Sequence, residues 1–150
     1  MATRRKKIIV VDDNASYLFI VRNLLKAFYE VYPAPSGSKL FALMEKFIPD
    51  MILLDIEMPG LNGYDVLESM KENPRYKDIP VVFFTAKDDE ESAVKGLNLG
   101  AVDYVTKPFC GPLLLRRISN LLLIEQLKRD LQLRNSMLDE LRMKNGVNGV

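Results

Sequence analysis

The chain has 150 residues, of which 48% are apolar, 21 are Lys or Arg and 20 are Asp or Glu. This length fits one domain with an appended element, and the apolar content is high enough for a buried core, which excludes a disordered chain. The formal net charge of +1 gives no electrostatic reason to expect direct binding to nucleic acid.

The chain contains no histidine and only one cysteine, Cys110. Histidine is the usual general base and the commonest transition-metal ligand, so Ser-His-Asp triads and zinc sites are excluded. A single cysteine agrees with a reducing cytoplasm, where we expect this protein. The basic start MATRRKK precedes an apolar run, IIVV, that is too short for a signal peptide. No stretch reaches the ~20 apolar residues that span a bilayer, so membrane insertion is not expected.

Strand-like and helix-like stretches alternate along the chain. Continuous apolar runs are typical of strands covered on both faces, and they occur at Ile8–Val11, Met51–Leu54, Val81–Phe84 and Val102–Val105, with a weaker run near Val31. Four stripes at helical spacing separate them: Tyr17, Leu18, Val21, Leu24, Leu25 and Phe28; Leu40, Leu43, Met44 and Phe47; Val66, Leu67 and Met70; Val94, Leu97 and Leu99. Five such βα units predict a doubly wound α/β fold around a five-stranded parallel sheet.

The last helical stretch is longer than a domain of this size requires. It begins near Pro112, a favourable first helical residue, and meets no helix breaker before Gly146. We therefore predict a compact domain over residues 1–123, a coiled-coil-like helical extension over 124–145 that continues its last helix, and a flexible tail over 146–150.

Apolar residues of the extension follow alternating three- and four-residue steps: Ile124, Leu127, Leu131, Leu138 and Leu141. Arg134 and Asn145 complete the series, which has the spacing of a coiled-coil seam interrupted by one charge. A lone helix would leave these side chains in water, at roughly 1.5–3 kcal/mol each. We expect a parallel homodimer that uses this seam. A helix folded back onto the domain is the alternative, although no glycine or proline between Pro112 and Gly146 offers a hinge.

Polar residues follow the ends of four predicted strands. Asp12 and Asp13 come after the first strand, Asp55 after the third, Thr85 after the fourth and Lys107 after the fifth. Sites in open α/β sheets are built at the carboxyl edge, where strand order reverses. If the order is 2-1-3-4-5, the three carboxylates converge there beside a hydroxyl and an ammonium. Clustered carboxylates repel one another unless they share a cation, and Mg²⁺ suits an all-oxygen site.

Each of these residues also has an ordinary structural role. Asp12 or Asp13 could cap the first helix, Asp55 could be a turn acid, Thr85 could cap a later helix and Lys107 could be a surface lysine. Their common position after apolar runs favours a shared site over five separate roles.

In its motifs the chain resembles the receiver domain of response regulators from bacterial two-component systems. The motifs are Asp12-Asp13, Asp55-Ile56-Glu57-Met58-Pro59 with Gly63, Thr85-Ala86 and Lys107-Pro108-Phe109. The resemblance extends from Ile8 to about Leu123. It implies a flavodoxin-like fold with sheet order 2-1-3-4-5, and a phosphoacceptor at Asp55 that is served by a histidine kinase or phosphotransfer protein.

The resemblance also implies roles around Asp55. Asp12, Asp13 and Asp55 would hold Mg²⁺ together with the backbone carbonyl of Glu57. Lys107 would pair with a phosphoryl oxygen. The chain would be a regulatory phosphoacceptor whose only catalysis is its own phosphorylation and dephosphorylation.

Switching would involve Thr85, whose hydroxyl would also bond a phosphoryl oxygen, and Tyr104. Their movement would repack the face of the fourth helix, fifth strand and fifth helix, and so control dimerisation or an output partner. Glu57 and Lys87, each two residues past a motif residue, would shield the acyl phosphate or form an exposed pair of little consequence. The weak helix cap Cys110-Gly111-Pro112 departs from the family, so the cis bond that the family has before Pro108 needs checking.

Two other classes use related chemistry. A magnesium-dependent phosphohydrolase of the haloacid-dehalogenase type also forms an aspartyl phosphate. Its nucleophile follows the first strand, with a second Asp two residues on, whereas here the candidate follows the third strand and position 57 is Glu57. A flavin-mononucleotide module needs a phosphate cradle rich in glycine and hydroxyls after the first strand, where this chain has VVDDNAS.

Overall fold

The structure is a computed structural model that describes residues 4–86 and 90–145. Strands and helices alternate along these residues: β1 Lys7–Val11, α1 Ala15–Leu25, β2 Glu30–Ala34, α2 Gly37–Lys46, β3 Met51–Asp55, α3 Gly63–Lys71, β4 Val81–Thr85, α4 Glu90–Asn98, β5 Asp103–Thr106 and α5 Gly111–Lys144. Lys87, which was expected beside Glu57, and the predicted tail at 146–150 lie outside the described residues.

The five strands form one parallel sheet in the order β2-β1-β3-β4-β5. This confirms the predicted flavodoxin-like arrangement. Strands β1 and β3 are neighbours although β2 lies between them in sequence, and their register runs to Val11 opposite Leu54. The chain order reverses at this pair, so a crevice opens at the carboxyl ends of β1 and β3.

The strand sequences follow from burial in the sheet. All the residues of Ile8–Val11 and Met51–Leu54 are at most 1% exposed, which explains why their apolar runs do not alternate with polar residues. Strand β2 lies at an edge, and its burial is partial. An edge strand tolerates Pro33 because one side of its backbone has no ladder to complete, and this accounts for the weaker pattern near Val31.

One face of the sheet packs against α2 and α3. Alternate strand residues, among them Ile9, Ile52 and Phe83, join a buried cluster with helix residues of the second and third predicted stripes: Leu40, Met44, Val66, Leu67 and Met70. The intervening strand residues, such as Val10, Leu53 and Phe84, are also at most 1% exposed. Both faces of the sheet are therefore covered, as a parallel sheet requires.

Two of the three residues in the predicted stripe of α4 are wrong, whereas Leu99, just after the helix, packs partly buried against the core. Helix α4 buries Ala93 and Gly96, while Val94 and Leu97 are 53% and 45% exposed. A Cβ atom on Gly96 would lie 2.8 Å from Cδ2 of Phe83, so the large ring on β4 leaves room only for small residues on the facing helix. In the first stripe, Phe28 is also misplaced, since it lies beyond the end of α1 and is 59% exposed.

Helix α5 is continuous over 34 residues, which confirms the extended terminal helix. The chain separates into two compact units, Met1–Leu115 and Arg116–Val150. In the second unit the predicted seam residues Ile124, Leu127, Leu131, Leu138 and Leu141 are 46–59% exposed. Within 4–86 and 90–145, no helix has the length and apolar character needed to cross a bilayer.

Candidate functional site

The crevice between β1 and β3 gathers three carboxylates. Asp55 is the last residue of β3, and Asp12 and Asp13 directly follow β1. Because Val11 and Leu54 are register partners, the residues after them emerge side by side. Carboxylate oxygens of Asp12, Asp13 and Asp55 all lie within 4.8 Å of one another.

Burial makes this cluster electrostatically costly. Asp12 is 1% and Asp55 is 5% exposed, whereas Asp13 is exposed to solvent. Two buried carboxylates of like charge need a nearby cation. Lys107, which follows β5, supplies one: its Nζ donates to Oδ2 of Asp12 at 2.6 Å and lies 3.5 Å from Oδ1 of Asp55.

The remaining charge is suited to a divalent cation. Three ionised carboxylates and one ammonium leave a net charge of −2 in the cluster. The donors are all carboxylate oxygens, the ligand type that Mg²⁺ prefers, and the exposed position of Asp13 leaves one side open to solvent. Asp12, Asp13 and Asp55 therefore fit a magnesium site. The carbonyl of Glu57 as a further ligand stays a prediction.

The protonation of Asp55 reflects its surroundings. Burial raises the pKa of this carboxyl to about 6, and the negative charges of Asp12 and Asp13 act in the same direction. The Lys107 ammonium and a hydrogen bond from the backbone of Glu57 partly oppose this rise of the pKa. At neutral pH the ionised form of Asp55 still predominates.

Thr85 and Tyr104 lie on the neighbouring strands β4 and β5. Thr85 is 1% exposed and ends β4, so it reaches the same edge of the sheet as Asp55. Its carbonyl accepts a hydrogen bond from the backbone N–H of Lys107 at 2.7 Å. Tyr104 pairs with Phe83 in the register and packs, partly buried, against the core. The two residues thus occupy different levels of the sheet, and their coupling as a switch stays a prediction.

Helix α1 is capped by Asn14, so the alternative that Asp12 or Asp13 caps this helix is wrong. The Asn14 side chain accepts hydrogen bonds from the backbone N–H groups of Ser16 at 2.9 Å and Tyr17 at 3.3 Å. The backbone N–H of Asn14 in turn donates to Oδ1 of Asp12 at 2.9 Å. Both oxygens of Asp12 are therefore engaged, one by this turn and one by Lys107.

Sequence reasoning missed the aromatic side of the site. The ring of Tyr17, a member of the first predicted stripe, has its centroid 4.2 Å from Nζ of Lys107. It also contacts Phe109, which stacks on Phe84 with a centroid distance of 5.7 Å and an interplanar angle of 7°. The sequence does contain one indication that Tyr17 lies near the site. Asn14 is a favourable N-cap residue, and a helix that begins there has Tyr17 in its first turn, directly after Asp12 and Asp13.

The loop after β5 carries Lys107. The peptide bond between Lys107 and Pro108 is cis, as the resemblance implied. The backbone N–H of Leu114 bonds the carbonyl of Cys110 at 2.9 Å, and helix α5 begins at Gly111.

Comparison with known sequences identifies the family. The profile of the response regulator receiver domain matches residues 8–119. The chain belongs to this family.

Related receivers are found in longer proteins. The segment is 37% identical to response regulator PleD of Caulobacter vibrioides over an alignment of 128 residues that covers 82% of this chain and 28% of PleD. It is 39% identical to a probable cyclic di-GMP phosphodiesterase of Vibrio cholerae over 111 residues, or 74% of this chain and 25% of that protein. The chain thus spans about a quarter of the length of these curated relatives.

Solved receiver structures share the fold. A putative response regulator from Chloroflexus aurantiacus superposes with a TM-score of 0.76 and 30% identity, covering 80% of this chain and 99% of that one. The chemotaxis protein CheY4 of Vibrio cholerae superposes with a TM-score of 0.74 and 29% identity, covering 78% and 98%. Membership of the receiver family favours the phosphoacceptor interpretation over the phosphohydrolase and flavin-module alternatives. The position of the candidate nucleophile Asp55, at the end of the third strand, agrees with this.

The raised pKa of Asp55 predicts a pH-dependent stability difference between the receiver and its Asp55→Asn variant without metal. Because the folded-state pKa of about 6 exceeds the unfolded value of 3.8, the folded state binds more protons, and ionisation of Asp55 destabilises it as pH rises through this window. Asp55→Asn should therefore raise the free energy of unfolding by about 1–2 kcal/mol at pH 7.5, a value discounted for solvent screening.

Urea unfolding in EDTA at several pH values between 4 and 7.5 measures this difference. The gain should become small as pH falls to 4, because the folded carboxyl is then protonated and the unfolded one, with its pKa of 3.8, is only about half ionised. A gain that is the same at all pH values would contradict the raised pKa. Asp103→Asn, at a half-buried aspartate on β5, serves as a charge-matched control.

Proposed function

We propose that this receiver is a phosphoacceptor signalling module in which Asp55 takes a phosphoryl group from a histidine kinase or phosphotransfer protein in a Mg²⁺-dependent reaction. One observation carries the proposal: Asp55, 5% exposed, ends a central strand with oxygens of Asp12 and Asp13 within 4.8 Å and the Lys107 ammonium at 3.5 Å. A turn acid would need none of these neighbours.

The chemistry requires a carboxylate nucleophile. An ionised oxygen of Asp55 attacks the phosphorus, a P–O bond forms, and the bond from phosphorus to the donor breaks with its electron pair leaving on the donor. The product is an acyl phosphate. Since Asp55 is mostly ionised at neutral pH, no general base is needed. This is consistent with a chain that contains no histidine.

Charge on the transferring group is the main obstacle, because it spreads over three equatorial oxygens. Lys107 already lies at the carboxylate edge, within 3.5 Å of Asp55, and would pair with one oxygen. The hydroxyl of Thr85, at the end of the adjacent strand, would bond a second. Mg²⁺, held by Asp12, Asp13 and Asp55, would neutralise charge on the third when bound.

The module is proposed to regulate rather than to turn over a substrate. Thr85 and Tyr104 would transmit phosphorylation to the face formed by α4, β5 and α5, and this face would control dimerisation or an output partner. The relatives named above are about four times as long as the matched segment, so we propose that the output belongs to a partner or a further domain. A cytoplasmic setting, favoured by the single cysteine, is part of the proposal.

We further propose that residues 124–145 form a parallel coiled-coil homodimer. The five seam residues on α5 are 46–59% exposed, a large apolar stripe for a helix to leave in water. A second copy is the occupant that matches the heptad spacing. Asn145 falls at a position of the seam where asparagine favours a fixed register, and Arg134 is the one charge within the stripe.

Asp55 should be the only residue that is phosphorylated. Incubation with acetyl phosphate and Mg²⁺ should label the wild type but not Asp55→Asn, because an amide is not a nucleophile for this transfer. Intact-mass spectrometry and Phos-tag electrophoresis measure the label. Asp13→Asn should be labelled at least about tenfold more slowly, as expected when a metal ligand is lost. Equal labelling of Asp55→Asn and wild type would overturn the assignment.

Activation should move Tyr104. With 3-fluorotyrosine incorporated, addition of beryllofluoride and Mg²⁺ should shift the ¹⁹F resonance of Tyr104, because Thr85 moves toward the phosphoryl analogue and opens space on β5. Tyr32, on the far edge strand β2, is the control and should not shift. The shift should be lost in Thr85→Ala. An unchanged Tyr104 resonance at saturating beryllofluoride would show a static aromatic residue.

The full chain should be dimeric at tens of micromolar. Light scattering should give the dimer mass for wild type and the monomer mass for Leu131→Asp, because the change buries a charge in the seam. Leu133, exposed on α5 but outside the seam spacing, provides the matched control: Leu133→Asp should remain dimeric. Arg134→Leu should tighten the dimer. A monomeric wild type, with the same mass for Arg134→Leu, would favour a helix docked on the domain.

A further inference from the structure

Lys107 and three residues around it form a closed circuit of contacts. Oδ1 of Asp12 accepts the backbone N–H of Asn14 at 2.9 Å, and Oδ1 of Asn14 accepts the backbone N–H of Tyr17 at 3.3 Å. The Tyr17 ring lies 4.2 Å from Nζ of Lys107, which donates to Oδ2 of Asp12 at 2.6 Å. The turn that orients Asp12 therefore also places an aromatic face over the ammonium that Asp12 binds.

The ring is held in this place from a second side. Its centroid is 6.5 Å from that of Phe109, and Phe109 stacks on Phe84 of β4. Phe84 is 1% exposed, so it anchors this cluster of three rings in the core. Tyr17 is thus fixed between the first turn of α1 and the loop that carries Lys107.

The ammonium under this ring is poorly hydrated. The Lys107 side chain is 9% exposed, and attraction between a cation and the negative face of a ring is strongest where water is excluded. Lysine also has a long flexible stem, which costs conformational entropy to hold in one place. A fixed ring restricts the ammonium to the edge where Asp55 lies.

We propose that Tyr17 is a positioning residue for Lys107 in the phosphorylation of Asp55; this inference rests on the function proposed above. Lys107 is bound to Asp12 in the structure but must pair with a phosphoryl oxygen during transfer. The Lys107 ammonium stays in contact with the Tyr17 ring while its anionic partner changes from Asp12 to the phosphoryl oxygen. The ammonium is then already placed when the donor arrives, and less reorganisation is needed to reach the transition state.

The competing explanation is that Tyr17 merely packs against Phe109. Packing depends on the shape and volume of the ring, whereas cation–π attraction depends on the electron density of its face. Fluorine substitution lowers that density with little change of shape. It therefore separates the two explanations without a cavity or a lost hydrophobic contact.

The first experiment measures the rate of phosphorylation of the full chain by acetyl phosphate at saturating Mg²⁺. Tyr17→Phe should stay within about twofold of wild type, and Tyr17→Leu should be roughly three- to tenfold slower. Tyr32→Leu, which alters a half-buried tyrosine whose ring centroid lies 4.6 Å from that of Phe47, is the matched control and should leave the rate unchanged. In a Lys107→Ala background, Tyr17→Leu should have no further effect. Additive losses would overturn the proposal.

The second experiment replaces Tyr17 by phenylalanine carrying zero to three ring fluorines. The rate should fall stepwise with fluorination in the Lys107 protein and stay flat in Lys107→Ala. In the metal-free protein, NMR should show the Lys107 ε-methylene protons shifted upfield by the ring, and this shift should vanish in Tyr17→Leu. The fluorinated series also tests the role of Tyr17 if Tyr17→Leu does not fold, because the fluorinated rings keep the shape of the native side chain.

The outcomes separate this inference from the proposed function. If the wild type is not phosphorylated at Asp55, both fall. If it is phosphorylated but fluorination leaves the rate unchanged, or the Lys107 protons keep their shift in Tyr17→Leu, the role of Tyr17 alone is overturned.

Discussion

The repulsion between two buried carboxylates is the constraint around which this receiver is organised. Asp12 and Asp55 follow neighbouring strands, are nearly inaccessible to water, and share one ammonium from Lys107. That lysine stands 95 residues from Asp12 in sequence, so the negative charge is partly neutralised only when the sheet is complete from β1 to β5. The fold and the site are therefore parts of one electrostatic arrangement, and neither carboxylate would be tolerated in this crevice without the last strand.

The balance is incomplete, and this gives the site its capacity to respond. The raised pKa of Asp55 shows that its charge remains unfavourable in the folded state, so an added cation or a change of partner at Lys107 alters the energy of the whole edge. Lys107 also bonds through its backbone to the carbonyl of Thr85. Movement of the Lys107 side chain would therefore occur in a residue that is hydrogen-bonded to Thr85, the residue proposed to start the switch. Natural sites commonly retain such local instability because function requires it.

Local sequence patterns predicted what depends on local chemistry. The unbroken run before Asp55 predicted a strand buried on both faces, and the polar residues after four such runs predicted a shared site at the carboxyl edge of the sheet. The same patterns failed where the partner is distant in sequence: α4 buries Ala93 and Gly96 because the ring of Phe83 already fills the space between helix and sheet. The spacing of apolar residues predicts which side of a helix faces the core, but it does not give the size of the side chain on the sheet that this side must pack against. The contact of Tyr17 with Lys107 was missed for the same reason, since Lys107 belongs to the loop after the last strand.

The two adjacent aspartates have different environments, and the difference indicates how the site would be loaded. Asp12 has both oxygens engaged, one by the Asn14 backbone and one by Lys107, whereas Asp13 is exposed. A cation approaching from solvent would meet Asp13 first and would compete with Lys107 for Asp12. Release of Asp12 would then leave the ammonium available to pair with a phosphoryl oxygen. In the proposed transfer, the ion pair that stabilises the crevice would therefore supply the required cation by exchange of partners.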